Sequence, residues 1–274
     1  MLKARVITAL VLLAGLLAAL FLLPAAGWLV FASVICAVGA SEWATMSGFG
    51  AVSRLIYSAI LGGLCLAAGV VGGLHQAATV APFGLAPVYG LSALFWVMCV
   101  PFWLRARWQL PGQGAAALIG LVVLLPPSLA IAHLRLLSPW LLLGVMGAVW
   151  VADIAAYFTG RAFGRRKLAP AISPGKSWEG AYGAVAGVML YGLACLSFVG
   201  HGLSSGGYLL AVPALVAFTA ISIIGDLFES LIKRQAGVKD SGSLLPGHGG
   251  VLDRIDSLTS TLPIAGLLAL WIAS

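Results

Sequence analysis

Acidic and basic residues gather in the second half of this chain, where seven of its eight carboxylates lie between positions 153 and 256. The densest stretch, from Lys239 to Asp256, reads KDSGSLLPGHGGVLDRID. Asp253 and Asp256 are spaced to share one face of a helix that begins there. Mg²⁺ typically takes one or two protein carboxylates together with phosphate oxygens and water, and glycines beside His248 let the backbone approach a ligand closely. This stretch therefore indicates a phosphate-handling site.

A second polar group follows an apolar run and reads GDLFESLIKR. Asp226, Ser230 and Lys233 are spaced to lie on one face of a helix. An ordinary helical ion pair between Glu229 and Lys233, worth roughly a few tenths of a kcal/mol, is the alternative interpretation. Because these residues follow an acid at the end of an apolar run, we expect them to belong to the same site.

A third group begins at Asp153, inside an apolar run that reads DIAAYFTG. Helical spacing puts Asp153, Tyr157 and Gly160 on one face. A charged side chain within a membrane span costs about 2.5–3.5 kcal/mol on insertion scales, so it tends to face a polar cavity or a partner. We expect this face to contribute to the site. Neutralisation of Asp153 by a loop arginine, for packing alone, is the alternative.

The loop after this run is basic and contains SPGKSWEG, which begins at Ser173. Gly-Lys-Ser also occurs in phosphate-binding loops, whose backbone amides and lysine hold phosphates. This loop is not one of them, because position 170 is Pro where that pattern needs Gly and no buried strand precedes it. We interpret it as a Pro-Gly turn at a helix start, which favours an anion beside Lys176. The basic residues alone are equally consistent with membrane orientation and lipid headgroup contact.

The composition of the chain indicates which kind of structure positions these residues. Of 274 residues, 61% are hydrophobic and 8% charged, and the mean hydropathy is +1.08, whereas soluble domains carry about a quarter charged residues. A water-soluble globule is therefore excluded. Runs of roughly 20 apolar residues are long enough to cross a membrane. We predict an all-α polytopic integral membrane protein with about nine transmembrane helices, near residues 6–23, 25–40, 54–74, 83–104, 114–133, 139–160, 180–200, 207–228 and 257–273.

The first two spans each allow a second interpretation. Residues 1–23 have the basic start and apolar run of a signal peptide, but everything downstream is also apolar, so we expect this segment to stay as the first span. Pro24 leaves almost no loop before the second span, which is short enough to be re-entrant. The four cysteines lie far apart in apolar runs and predict neither a zinc cluster nor a disulfide framework.

The basic residues predict an orientation. With nine crossings, 14 of the 15 Lys and Arg residues fall on the amino-terminal side of the membrane, and Arg135 alone falls opposite. Basic loops are enriched on the cytoplasmic side, so we predict a cytoplasmic amino terminus and a site at the cytoplasmic interface. This asymmetry accounts for the net charge of +7 without a nucleic-acid partner. We predict that residues 1–138 form an amino-terminal scaffold and residues 139–274 a carboxyl-terminal catalytic region.

Residues 230–256, SLIKRQAGVKDSGSLLPGHGGVLDRID, resemble the signature of the bacterial phosphatidate cytidylyltransferases, also called CDP-diacylglycerol synthases. The upstream runs DIAAYFTGRAFG, ISPGKSWEG and GDLFES resemble the same family, so the resemblance covers about residues 150–256. Ser177 stands where this family more often has Thr. Residues 1–149 match only loosely, through apolar spans and the pair Glu42-Trp43.

This resemblance implies transfer of CMP from CTP to phosphatidic acid, giving CDP-diacylglycerol and pyrophosphate at the bacterial cytoplasmic (inner) membrane. It implies Mg²⁺, with a second cation considered, and the partners CTP, phosphatidic acid and membrane lipid, with a homodimer as one option for assembly and no nucleic acid. The implied metal ligands are Asp226, Asp253 and Asp256. The implied catalytic residues are these three with Lys239, Asp240, His248 and Arg254, and the implied substrate-binding residues are Asp153, Tyr157, Ser173, Lys176, Ser177, Glu179, Ser230, Lys233, Arg234, Gly249 and Gly250.

The phosphate oxygen of phosphatidic acid is already a nucleophile, so catalysis should rest on positioning and charge neutralisation, with no strong general base. Three alternatives are kept. A CDP-alcohol phosphotransferase has a motif that begins Asp-Gly, a dipeptide absent from this sequence. A polyprenyl-phosphate transferase also joins spans to a metal-bound nucleotide. A transporter would place acids at mid-depth among broken helices, whereas most acids here lie at span ends.

Overall fold

A computed structural model describes residues 2–76, 83–199, 205–245 and 247–273. In these ranges the chain forms nine long helices: α1 (Leu2–Leu22), α2 (Ala25–Met46), α3 (Ala51–Val71), α4 (Ala86–Ala106), α5 (Gln113–Leu137), α6 (Pro139–Phe163), α7 (Trp178–Val199), α8 (Ser205–Gln235) and α9 (Leu252–Ala273). Two short strands, β1 (Lys167–Ala169) and β2 (Ser173–Ser177), join α6 to α7.

The lengths and composition of the helices confirm an all-α polytopic membrane protein. Helices α2 to α9 are long and apolar enough to cross a membrane, and the apolar part of α1 runs from Ile7 to Leu22. A helix satisfies its own backbone hydrogen bonds, which lipid cannot do. The second segment, expected at 25–40, is a helix of 22 residues, long enough to cross fully. Helices α8 and α9 extend beyond the expected spans 207–228 and 257–273, because the charged residues at their facing ends are also helical.

The core of the bundle lies where α2, α4, α5 and α8 meet. Trp28 and Trp43 of α2 and Trp96 of α4 are fully buried. Phe228 of α8 packs edge-on against Trp96, with 5.5 Å between ring centroids, and stacks on Trp43 at 6.4 Å. The Trp43 indole N–H donates to the carbonyl of Ala116 on α5 at 2.8 Å. These contacts hold the carboxyl-terminal part of α2 beside the charged end of α8.

Helices α6 and α7 pack closely through small residues. A Cβ atom on Gly187 would lie 2.8 Å from the Cβ of Ala155, and one on Gly180 would lie 2.9 Å from the carbonyl oxygen of Ala156. Small residues let membrane helices approach closely. This pairing fixes the position of the segment that connects the two helices.

That connection is a β-hairpin, which corrects the turn that we predicted at a helix start. β1 and β2 pair antiparallel, with Lys167 opposite Ser177 and Ala169 opposite Ser173. Strands this short carry no readable alternation of polar and apolar residues, so the sequence did not reveal them. Ser177 is buried, and its hydroxyl accepts the Gly180 N–H at 3.2 Å, which caps the start of α7.

The loop between α8 and α9 covers residues 236–251. Gly237 has φ +71°, the left-handed conformation that commonly ends a helix. Further along, the chain folds back on itself. The Leu245 N–H donates to the Gly249 carbonyl and the His248 N–H donates to the Leu245 carbonyl, each at 2.9 Å. We call residues 239–251 the glycine-rich loop.

Candidate active site

An ion pair between Lys176 and Asp226 joins the hairpin to α8. Lys176 Nζ lies 2.5 Å from Asp226 Oδ2, and the Ser230 hydroxyl donates to the other carboxylate oxygen at 3.2 Å. The two charged side chains are 26% and 24% exposed, so water reaches the pair. The anion beside Lys176 is therefore a carboxylate of the chain itself in this structure.

Lys233 lies between two carboxylates near the end of α8. Its Nζ is 2.6 Å from Asp253 Oδ1 on α9 and 3.1 Å from Glu229 Oε1 one turn earlier. The three side chains are between 5% and 11% exposed. Removing the partner of a buried charge is strongly destabilising. The Glu229–Lys233 pair is thus part of a buried network that includes α9, and more than a surface helical pair.

The second oxygen of Asp253 organises the glycine-rich loop. Asp253 Oδ2 accepts the N–H groups of Ser241 and Gly250, each at 2.8 Å. Gly249 has φ +79°, and a Cβ there would lie 2.6 Å from Asp253 Oδ2. Only glycine adopts this conformation freely and leaves the oxygen its place. Gly249 and Gly250 bring the backbone close to Asp253, and their close approach to a ligand stays a prediction.

The remaining acids complete a group of charged side chains, here called the acidic cluster, where α6, α8, α9 and the hairpin meet. Asp256 of α9 lies within electrostatic reach of acids on α8 and α6, and Asp153 of α6 within reach of cations on the hairpin and α9. Carboxyl groups outnumber cationic groups by two in this cluster, and a divalent cation bound among them would favour their charged forms. Its members are the carboxyl groups of Asp153, Asp226, Glu229, Asp253 and Asp256 and the cationic groups of Lys176, Lys233 and Arg254.

An open polar cleft of about 380 Å³ adjoins this acidic cluster. Arg254 lines the cleft and also interacts with Asp153, so it belongs to both. Cationic and polar side chains in one cavity suit a phosphorylated ligand. Four predicted catalytic residues line this cleft: Lys239, Asp240, His248 and Arg254. The rest of the lining consists of Gly242, Ser243, Leu245, Gly247 and Gly249.

No ready-made metal centre exists in the described part of the chain, where no three His, Cys, Asp or Glu side chains are grouped so as to hold an ion. The predicted ligands Asp226, Asp253 and Asp256 do lie in one cluster, but Asp226 is paired with Lys176 and Asp253 with Lys233. Mg²⁺ needs only one or two protein carboxylates when phosphates supply further oxygens. The excess of carboxylates therefore fits a divalent ion that binds together with a phosphorylated substrate.

Other predicted substrate-binding residues have contacts of their own. Glu179 accepts the Arg165 N–H at 3.0 Å, which ties the residues just before the hairpin to α7. The Tyr157 hydroxyl accepts from Arg161 at 3.2 Å, and Arg234 donates to a carbonyl of the turn after α8 at 3.5 Å. Of the residues that the structure describes as lining the cleft, none is among these. Their contact with substrate, like that of Ser173 and Ser177, stays a prediction.

Sequence reasoning missed Glu42, the one acid outside the region 153–256. Glu42 of α2 is 7% exposed and accepts two N–H groups from the start of α9, those of Val251 and Leu252, each at 2.8 Å. The Ser241 hydroxyl donates to it at 2.9 Å. A signal was present in the sequence, because a carboxylate within an apolar span needs a polar partner.

These contacts cross the predicted boundary at residue 138. Helices α2, α4 and α5 from the first region pack against α9 from the second. The amino-terminal region therefore belongs to the framework of the candidate site. The division into a scaffold of residues 1–138 and a catalytic region of residues 139–274 stays a prediction.

The chain has full-length relatives among known proteins. A model of the cytidylyltransferase family matches residues 3–271. A phosphatidate cytidylyltransferase of Pseudomonas aeruginosa is 44% identical over 283 aligned residues, which cover 100% of this chain and 98% of that protein. A protein of the same name from Haemophilus influenzae is 36% identical over 96% of both chains. Another, from Thermotoga maritima, is 43% identical over 44% of this chain and 46% of its own length.

Proposed function

This chain belongs to the cytidylyltransferase family, and we propose that it is a phosphatidate cytidylyltransferase, an enzyme that transfers CMP from CTP to phosphatidic acid. The observation that carries this proposal is the 44% identity to a relative of that name along the whole chain. Because the match is not confined to one segment, it includes the helix ends and the glycine-rich loop that form the candidate site.

In the proposed reaction a phosphate oxygen of phosphatidic acid attacks the α-phosphorus of CTP. The new bond completes the P–O–P bridge of CDP-diacylglycerol. The bond that breaks joins the α-phosphorus to the oxygen leading to the β-phosphate, and pyrophosphate leaves with that electron pair. The attacking oxygen is already anionic, so no general base need remove a proton. The protein must instead hold two anionic reactants in line and neutralise their charge.

We assign the triphosphate of CTP to the cleft beside the acidic cluster. Lys239 and Arg254 bring positive charge to this cleft, and His248 adds a polar ring to its lining. Arg254 also interacts with Asp153, so a phosphate held by this arginine would lie at the edge of the cluster. The opening of the cleft suits a ligand that arrives from water. Phosphatidic acid would bring its phosphate from the membrane interface.

We propose Mg²⁺ as the cofactor, with Asp226, Asp253 and Asp256 as the carboxylates that would hold it and a second cation as a further option. When bound, it would neutralise charge on the phosphates. The support is that the cluster has two more carboxyl groups than cationic groups. Asp226 is the more accessible ligand, since its side chain is 24% exposed and that of Asp253 is 5% exposed. Lys176 would then be released from Asp226 to contact a substrate phosphate.

The proposed location is the bacterial cytoplasmic membrane, with the amino terminus and the candidate site on the cytoplasmic side. The support is the basic asymmetry of the sequence, because 14 of 15 Lys and Arg residues share one side. Arg135, the exception, is at the other end of the bundle, where it donates to the Leu20 carbonyl near the end of α1 at 3.1 Å. A homodimer stays a prediction.

The test is to incubate membranes containing the protein with labelled CTP. Phosphatidic acid should be required for the label to appear in lipid, and membranes without the protein are the control. A CDP-alcohol phosphotransferase would instead consume CDP-diacylglycerol and an alcohol, a polyprenyl-phosphate transferase would require a polyprenyl phosphate, and a transporter would move solute without forming a labelled lipid. The proposal would be refuted by any of these results if the protein does not also use CTP in a reaction that requires phosphatidic acid.

A further inference from the structure

Glu42 of α2 and Asp253 of α9 are linked through one residue of the glycine-rich loop, Ser241. The buried Ser241 hydroxyl lies 2.9 Å from Glu42 Oε2 and 3.1 Å from Asp253 Oδ2. A hydroxyl carries a single proton, so it donates to one of these oxygens at a time. The Ser241 N–H donates to Asp253 Oδ2 as well, at 2.8 Å. The loop is therefore held between a carboxylate of the candidate site and a carboxylate that sequence analysis assigned to no role.

Glu42 also caps the amino-terminal end of α9. Its Oε1 accepts the Val251 N–H and its Oε2 accepts the Leu252 N–H, each at 2.8 Å. The first N–H groups of a helix have no acceptor within the helix, and a negative charge is favoured at that end by the helix dipole. Helix α2 thus supplies the cap of α9, whose first turn contains Asp253.

The backbone of the loop is shaped around this carboxylate. A Cβ atom on Gly242 would lie 2.8 Å from Glu42 Oε1, and one on Gly250 would lie 2.5 Å from Oε2. Both distances are too short for real Cβ contacts, so a larger residue at either position would displace the carboxylate. The glycines leave the space that Glu42 fills.

We propose that Glu42 is a positioning residue for the transfer reaction. It holds Ser241 and the first turn of α9, and through them it fixes the orientation of Asp253 beside Lys233. Glu42 does not touch the reacting atoms. This inference rests on the proposed function, because the transfer reaction is what Asp253 would serve. It gives the amino-terminal half of the chain a part in that reaction that acts through Asp253.

The variant Glu42→Gln tests this role because glutamine keeps the size of the side chain but exchanges one acceptor oxygen for a donating NH₂ group. We expect kcat of the purified variant to fall about 10²-fold, as for a misplaced catalytic group, and to change more than KM for CTP, since Lys239 and Arg254 remain in the cleft. Hydrogen exchange of the Ser241, Val251 and Leu252 amides should become faster.

A matched control is Tyr57→Phe, which removes the buried hydroxyl that donates to the Ala117 carbonyl at 2.9 Å. This hydrogen bond also lies in the amino-terminal half, but it has no contact with the glycine-rich loop. Tyr57→Phe should lower thermal stability while leaving kcat and the exchange of the loop amides unchanged. If Glu42→Gln behaves like Tyr57→Phe, the positioning role is wrong.

Ser241→Ala keeps the inference testable if Glu42→Gln does not fold. It removes the hydroxyl link but leaves the contacts of Glu42 with Val251 and Leu252, so we expect a smaller loss, about tenfold in kcat. Wild-type kcat in folded Ser241→Ala would overturn the inference. The proposed function fails separately, if the wild-type protein transfers nothing from CTP to phosphatidic acid. Even if the protein has no such activity, the amide exchange of Glu42→Gln still tests whether Glu42 holds the loop. Unchanged exchange would refute that role.

Discussion

Lys233 of α8 and Asp253 of α9 form a buried ion pair, with 2.6 Å between Nζ and Oδ1. The pair joins the two helices that flank the glycine-rich loop, so it fixes both ends of the loop. Glu229 shares the same lysine at 3.1 Å. Residues of the candidate site therefore also hold α8 and α9 together. Some substitutions should for this reason lower both the stability and the activity of the protein.

Replacing Lys233 by Met should destabilise the protein strongly. The substitution keeps the length of the side chain but leaves the buried carboxylates of Glu229 and Asp253 without their cation, which typically costs about 3–5 kcal/mol. Arg234→Met is the matched control for stability, because the neighbouring Arg234 is exposed and a surface change is usually within about 0.5 kcal/mol. Thermal unfolding in detergent measures both variants. Equal unfolding temperatures would show that the buried network contributes nothing.

Asp226 and Asp253 should act together on the proposed metal, although 27 positions separate them in the sequence. If both hold Mg²⁺ against CTP phosphates, Asp226→Asn and Asp253→Asn should each abolish most transfer, because a strongly hydrated ion loses an anionic ligand. The double variant should cost little more than either single one, since residues that act as a unit are not additive.

A magnesium titration of the folded variants separates this role from a structural one. Near-wild-type transfer in either folded single variant, without a higher magnesium requirement, would remove that residue from the metal site. If each Asp only neutralises its lysine, Lys176 or Lys233, the folded variants should keep their transfer activity and their magnesium requirement. Asp253→Asn should lose stability in either case, because Lys233 loses a buried partner. Size-exclusion chromatography before the assay isolates the folded protein that is compared.

The proposed orientation of the protein predicts which loops are accessible from each side of the membrane. In a cysteine-free background, a cysteine at Ser243, an exposed residue in the lining of the cleft, should react with an impermeant reagent only from the cytoplasmic side. A cysteine at Ser204, which lies outside the described residues, should react only from the opposite side. The reverse pattern of labelling would overturn the placement of the site.

Direct transfer predicts that no covalent nucleotidyl-enzyme forms. Two residues near the proposed reaction could in principle accept a nucleotidyl group: His248 in the cleft and Ser230, whose hydroxyl donates to Asp226. Rapid acid quench during turnover, followed by mass spectrometry of the intact protein, should find no added cytidylyl mass. An adduct on either side chain would refute attack by the lipid phosphate on CTP.

The helices, and the grouping of charged residues at one end of the bundle, were predictable from local sequence. Nine apolar runs fix nine helices, because lipid leaves the backbone few other structures. Helical spacing and the shared side of the membrane then bring Asp226, Asp253 and Lys176 to one end of the bundle. The partners of these groups were less predictable, because nothing in the spacing of Lys176 or Lys233 says that each pairs with a carboxylate of another element.

The contacts that the sequence could not give are those between distant segments. Glu42 and Leu252 are 210 positions apart, and their meeting depends on how α2 packs against α9. The β-hairpin was missed because Pro174 and Gly175 are typical of turns, yet both lie in an extended strand that pairs with β1. In both cases tertiary packing decides between local alternatives.

The proposed reaction is tested most sharply by following the two ends of the CTP triphosphate. The purified protein is incubated with phosphatidic acid, Mg²⁺ and CTP labelled either at the α-phosphate or at the γ-phosphate. We predict that the α-label enters the lipid fraction in a one-to-one ratio with released pyrophosphate, and that the γ-label stays entirely in pyrophosphate. Folded Asp226→Asn serves as the inactive control. Entry of the γ-label into lipid, or no labelled lipid from either substrate, would contradict the assignment of the protein as a phosphatidate cytidylyltransferase.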